Sequence, residues 1–177
     1  IVLFLPVFCP TIGAHLRAGQ ENVANSGVGS RRSWNFDVSS QGFRCHMSNI
    51  MAAIGVVQID RIDEFRNVRQ NIARKYIKEL SKLEDINLLD FDFNEILPHI
   101  FVIKACNRDN LREFLLMNDI ECGIHYKPNH LLSKYNSTFD LPVTEEIYGQ
   151  ILTLPCHYDL TDSEQKYVIE KIKEFYE

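Results

Sequence analysis

Three groups of side chains in this sequence have the types and spacing to do chemistry. Arg44 and His46 stand just ahead of Ser48, where a helical apolar periodicity begins. Free N–H groups and the helix dipole favour negative charge at such a start, Arg offers a fork of donors and His a second contact. That set suits a phosphate. The competing reading is a solvated loop whose arginine pairs with a nearby carboxylate. The second group is His125-Tyr126-Lys127-Pro128-Asn129-His130, at the end of a predicted strand. Loops after strands commonly carry ligand contacts, and Pro128 stiffens this one, holding His125 and His130 in defined directions. His125, Tyr126 and His130 are therefore candidate ligand contacts; the structural alternative makes His125 a satisfied edge histidine and Tyr126 a core residue. The third group, Cys122, His125 and His130 with Cys156 and His157 downstream, has zinc-ligand chemistry and one permitted Cys-x-x-His spacing. No second closely spaced pair completes a tetrahedral set, so no metal site is expected. Gly-x-Gly-x-x-Gly, P-loop and Gly-x-Ser-x-Gly patterns do not occur, and no self-contained nucleophile and base pair stands out.

The elements that must position these residues follow from periodicity. From Ser48 to about Leu83, apolar residues from Ile50 through Ile54, Phe65, Ile72 and Tyr76 to Leu83 recur at three- and four-residue steps. This predicts a helix or broken helix of about 35 residues, N-capped by Ser48, with Ala52, Ala53 and Gly55 allowing close approach near its start. The length exceeds the usual globular helix of roughly 11–12 residues, so such an element is expected to span a domain junction or pack on a partner. Ile86–Asp90 and His99–Ala105 read as strands, Asp109–Asn118 as a helix and Glu121–Tyr126 as a third strand candidate. A short helix over Thr144–Gly149 and an extended Ile151–Pro155 follow. Thr161-Asp-Ser-Glu164 is a capping box opening a last helix through Val168, Ile169, Ile172 and Phe175. Residues 1–33 pass from an apolar opening to a Gly, Ser and Asn-rich run without period, which alone reads as irregular loop. Residues 34–83 then form the loop and long interdomain helix, and 84–177 a small α/β domain with a sheet covered by helices.

Composition bounds the function. The chain has 177 residues, 45% hydrophobic and 24% charged, as an ordinary globular protein has. A formal net charge of −5 argues against nucleic acid as a partner, while one local basic pocket suffices for a small anion. Five scattered cysteines, an odd number, do not form a disulfide framework and fit a cytoplasmic setting. No apolar run approaches the roughly 20 residues of a membrane helix, so no membrane partner is expected. Ile1–Phe8 has the apolar character of a signal core but no basic start, and Pro6 and Pro10 break it. With Ile at its start, the sequence reads as a fragment, or as one whose start is displaced from the natural one.

Gly42-Phe-Arg-Cys-His-Met-Ser-Asn-Ile-Met-Ala-Ala-Ile-Gly-Val-Val-Gln-Ile59 resembles the stretch written G-[YF]-N-x-R-M-[ST]-[ND]-I-Q-A-A-I-G-x-x-Q-L in the DegT/DnrJ/StrS family of pyridoxal-phosphate-dependent sugar aminotransferases. Asp63-Glu-Phe65 with Arg69, Ile72, Ala73 and Tyr76 is similar to the helix that continues it. Ile124–His130 resembles the family's I-x-x-x-H-Y-x-P-x-H segment, and Ile151–His157 with Leu160-Thr161 its L-x-L-P-x-H-x-x-L-T ending.

The resemblance, ordered from about Arg31 to Phe175, implies an α/β fold: the small C-terminal domain of the aspartate-aminotransferase fold (fold type I), with the large domain missing and residues 1–33 an irregular remnant of it or replacement for it. It implies homodimers with a shared active site, pyridoxal 5'-phosphate as cofactor, and transfer of an amino group, typically from glutamate, to a nucleotide-linked keto sugar. The family's Schiff-base lysine precedes the matched stretch, and Lys75, Lys78, Lys82 and Lys104 do not match it, so the chain alone is expected to be inactive. By resemblance, Arg44, His46 and Ser48 take the cofactor-phosphate role, with Arg44 and His46 departing from the usual Asn and Arg, and His125, Tyr126 and His130 lie on the substrate side. The rival reading is a non-catalytic helical protein-interaction module built on the overlong helix.

Overall fold

The computed structural model describes residues 20–22, 36–38, 47–135 and 139–177. The chain divides into two units, residues 1–62 with 127–140, and residues 63–126 with 141–177.

In the first unit, β1 (Gln20–Asn22) pairs antiparallel with β2 (Phe36–Val38), Gln20 opposite Val38. Helix α1 (Asn49–Ile59) follows. Ser48 caps it as expected: its backbone is extended and its hydroxyl accepts from the Met51 amide at 3.4 Å. Two short 3-10 turns, Asn129–Leu131 and Ser133–Tyr135, complete the described part of the unit.

Of the two forms expected for the long element, a helix or a broken helix, the structure has the broken one. Asp60 and Arg61 form a turn, with the Arg61 amide donating to the Gln58 carbonyl at 3.2 Å, and α2 (Ile62–Leu80) starts afresh. Asp63 and Glu64 in the first turn of α2 explain the restart, because acidic side chains favour a helix beginning. The boundary between the units falls at Ile62 and Asp63.

The second unit is built on an antiparallel sheet of order β3-β4-β5, comprising Ile86–Leu88, Phe101–Ala105 and Ile151–Leu154. Phe101, Ile103 and Ala105 alternate onto the buried face of β4, and Leu152 and Leu154 lie opposite Ile103 and Phe101. Four helices accompany the sheet: α2, α3 (Arg108–Met117), α4 (Pro142–Gln150) and α5 (Asp162–Tyr176). The core joins Ile72, Ala73, Tyr76 and Leu80 of α2 with Leu111 and Leu115 of α3 and Val168, Ile169 and Ile172 of α5. Each large side chain buried this way contributes about 1.5–3 kcal/mol. The capping box forms as read: Thr161 Oγ1 accepts from the Glu164 amide, and Glu164 accepts from the Thr161 amide at 2.8 Å.

Buried polar side chains lock the connections. Tyr76 donates its hydroxyl to the Pro155 carbonyl at 3.0 Å, and Gln165 donates to the Ile72 carbonyl at 2.7 Å. Arg108 is buried, pairs through Nε with Asp109, and donates through Nη1 to the Tyr148 and Ile151 carbonyls at 3.0 Å each. Those carbonyls belong to the last turn of α4 and the first residue of β5, where helix passes into strand with no intervening loop.

Candidate functional site

Of the first candidate group, Ser48 stands at the start of α1. Arg44 and His46 lie outside the described residues; Ser48 is exposed, as are Met47, Asn49 and Ile50. The first amides of a helix have no partner within it, and here the Ser48 hydroxyl takes the Met51 amide while its carbonyl takes that of Ala52 at 2.9 Å. The remaining first-turn N–H groups and an exposed hydroxyl leave a donor-rich, solvent-facing surface.

His125 is placed by the edge of the sheet. The segment Glu121–Tyr126 is not the strand expected; it pairs with β5 through one residue, Gly123, which exchanges backbone hydrogen bonds with Thr153 at 3.1 and 2.8 Å. Cys122 and Ile124 point into the core, so the alternation of a strand survives without its ladder. Two residues beyond Gly123, on the same side, the His125 ring folds back toward the sheet, and Nδ1 lies 2.9 Å from Thr153 Oγ1. Gly123 makes this possible: a Cβ there would stand 2.5 Å from His125 Cε1.

Burial, and then the nearby His99, hold the His125 imidazole below its ordinary pKa. His99 is lowered as well, by burial first and then by Arg69. Arg69, buried on α2, fixes that neighbourhood by donating to the Pro98 and His99 carbonyls at 3.3 and 3.1 Å. Near neutral pH both imidazoles therefore favour the uncharged form, in which His125 can hydrogen-bond through either ring nitrogen.

Tyr126 follows across a cis peptide and is 56% exposed, its ring edge-on to His125 at 4.9 Å between centroids. It is not the core residue of the structural alternative. His130 lies half-buried in the 3-10 turn after Pro128, which the Leu131 amide closes by donating to the Pro128 carbonyl at 3.0 Å. The structure thus brings His125 and Tyr126 together in the second unit, while Ser48 and His130 belong to the first.

Cys122 and Cys156 are both buried, which pushes their thiols up to about 12 and about 11 and keeps them protonated and poor nucleophiles. Among the described residues no group of three His, Cys, Asp or Glu side chains could hold a metal ion, and no helix is long and apolar enough to cross a membrane. Lys75 is paired with Asp162, and Lys82 reaches Glu79 at 3.4 Å. Sequence reasoning missed Thr153, Gly123 and His99. Only Gly123 left a signal, a glycine inside a strand-like run, which marks a close approach.

Comparison with known proteins agrees with the sequence motifs. The profile of the DegT/DnrJ/EryC1/StrS aminotransferase family matches residues 15–173. The chain is 26% identical over 166 residues to the UDP-4-amino-4,6-dideoxy-N-acetyl-beta-L-altrosamine transaminase of Campylobacter jejuni, covering 85% of this chain and 44% of that protein. It is 28% identical over 138 residues to GDP-perosamine synthase of Escherichia coli O157:H7, covering 76% of this chain and 38% of that one. Its fold is similar to the PMP-form of the putative sugar aminotransferase Spr1654 from Streptococcus pneumoniae, with a TM-score of 0.68 and 29% identity over 81% of this chain and 39% of that one. The chain therefore spans less than half the length of the proteins it matches.

Proposed function

This chain belongs to the DegT/DnrJ/EryC1/StrS aminotransferase family, and from that premise we propose that it forms the C-terminal part of a pyridoxal-phosphate-dependent enzyme. The enzyme moves an amino group, from glutamate, onto the keto group of a nucleotide-linked sugar. The profile match over residues 15–173 carries the proposal, supported by the two relatives' names, which both specify nucleotide-linked amino sugars.

The described residues at the start of α1 fit the cofactor's phosphate. The exposed Ser48 hydroxyl and the first-turn amides of α1 are hydrogen-bond donors for an anion, and Arg44 and His46 immediately precede them in sequence. When bound, pyridoxal phosphate supplies the electron sink through which the amino group passes. In this reading Arg44 grips the phosphate by charge-assisted hydrogen bonds, with His46 and Ser48 as further contacts, in the active site of the partner protomer of a homodimer. His125 and His130 hydrogen-bond the sugar nucleotide, and Tyr126 offers it an exposed ring face. The lysine that anchors the cofactor comes from a large domain beyond this sequence, so the 177 residues by themselves do not turn over.

The test is made in the enzyme completed by a lysine-bearing large domain. Arg44→Ala should weaken cofactor affinity by about 1.5–3 kcal/mol, roughly 10- to 150-fold, and His125→Phe in the same enzyme should raise KM for the sugar nucleotide. Cofactor affinity that ignores Arg44→Ala would remove Arg44 from the site. A second reading, a non-catalytic helical interaction module, draws on the apolar exposed surface of α1. A completed protein that neither binds pyridoxal phosphate nor transaminates would favour it.

A further inference from the structure

The contact between His125 and Thr153 has a direction, and the direction decides what His125 can do. We infer that Thr153 is a positioning residue: its hydroxyl donates to His125 Nδ1, which places the neutral ring's proton on Nε2 and makes His125 a hydrogen-bond donor toward a substrate oxygen. The inference rests on the proposed substrate-side role of His125.

A neutral imidazole has one donor and one acceptor nitrogen, and its neighbours select which is which. The two atoms in question are 2.9 Å apart, and either could in principle donate. The bookkeeping of protons separates the cases. Thr153 is buried, and among the described residues its hydroxyl has Nδ1 as its one hydrogen-bond partner. If Nδ1–H donated, the threonine proton would be left buried with no acceptor, which folded proteins avoid. If the hydroxyl donates, both groups are satisfied.

The surroundings hold the pair in place. Thr153 is pinned by its two backbone hydrogen bonds with Gly123, and the bare Cα of Gly123 leaves the space the ring occupies. Among the described residues Nε2 makes no hydrogen bond, so it is the nitrogen available to a ligand. A fixed N–H selects acceptor oxygens, as found on a keto or hydroxylated sugar or a phosphate. It disfavours a ligand that presents a cation.

The tautomer is measurable in the 177-residue chain without cofactor, by nitrogen NMR of 15N-histidine-labelled protein at about pH 8, above the ordinary histidine range. His125→Gln assigns the resonances by their loss. Wild type and Thr153→Ser should show a protonated Nε2 and a hydrogen-bonded, unprotonated Nδ1. Thr153→Val, which keeps the shape and removes the hydroxyl, should shift the tautomer ratio toward Nδ1–H by roughly 2- to 12-fold, the equivalent of one lost hydrogen bond. A wild-type His125 protonated at Nδ1 overturns the inference, as does a valine variant with the wild-type ratio. Should the valine variant not fold, the wild-type and serine spectra decide alone. These outcomes are independent of the His125→Phe and Arg44→Ala results, so either claim can fall without the other.

Discussion

Helices α1 and α2 are consecutive in the chain and opposite in design. The 19 residues of α2 carry one buried face, with Ile72, Ala73, Tyr76 and Leu80 joined by the hydrogen-bonded Arg69 and Gln70, and the other charged residues off it. None of the 11 residues of α1 is buried, although Ile50, Ile54, Val56, Val57 and Ile59 are all apolar, and Ile50 is 75% exposed. A two-sided helix finds its partner within its own unit; a helix apolar around its circumference is made to be covered on several sides. Side chain by side chain, α2 is stabilised by its own fold, whereas under the proposed function α1 gains its burial from the dimer.

That contrast can be broken at either end. The largest effect should come from α2: Leu80→Ala empties a fully buried position and should lower unfolding stability by about 2–5 kcal/mol, read as a lower urea midpoint at constant slope. A loss below about 1 kcal/mol would mean that α2 is not packed as described. Next comes Thr161→Ala at the start of α5, which removes one side of the capping box and should cost about 1 kcal/mol.

The histidines give a subtler handle. Because His125 and His99 have folded pKa values below their ordinary 6.5, the unfolded chain binds more protons just below that pH. The stability they support is present above pH 6.5 and is lost as pH falls through the lowered folded values. Urea midpoints measured on the acid side of 6.5 should therefore decline, with a shallower slope in His125→Gln. A slope unchanged by that substitution would take His125 out of the balance. The smallest effect is expected in α1, where Val57→Ser in the isolated chain should change stability by no more than about 0.5 kcal/mol. The same substitution should weaken self-association measured by sedimentation, and association that ignores it would detach α1 from any interface.

The second unit was legible in proportion to how local its signals are. The capping box at Thr161, the period of α5 and the alternation of β4 each reside within a few neighbouring residues, and each formed where the sequence put it. A broken helix was among the readings, but the place of the break, Asp60 and Arg61, was hidden because Ile59, Ile62 and Phe65 keep the helical step while the helix itself stops. Around His125 the alternation was visible in Cys122 and Ile124, but the pairing was not, since Gly123 meets a strand about thirty positions later. Thr153 was missed for the same reason. Its contact with His125 spans 28 residues and leaves no local pattern, whereas His125 and Tyr126 stood out as adjacent ring-bearing residues before a proline.

The seam where α4 runs directly into β5 makes Arg108 a registration pin. Its guanidinium grips a carbonyl on each side of the junction, so the strand's phase is set at its first residue, two positions before Thr153. Slip that phase by a single residue and every side chain of β5 changes face. The threonine would then turn its hydroxyl to the wrong side of the sheet, and the histidine would be released by an arginine that never touches it.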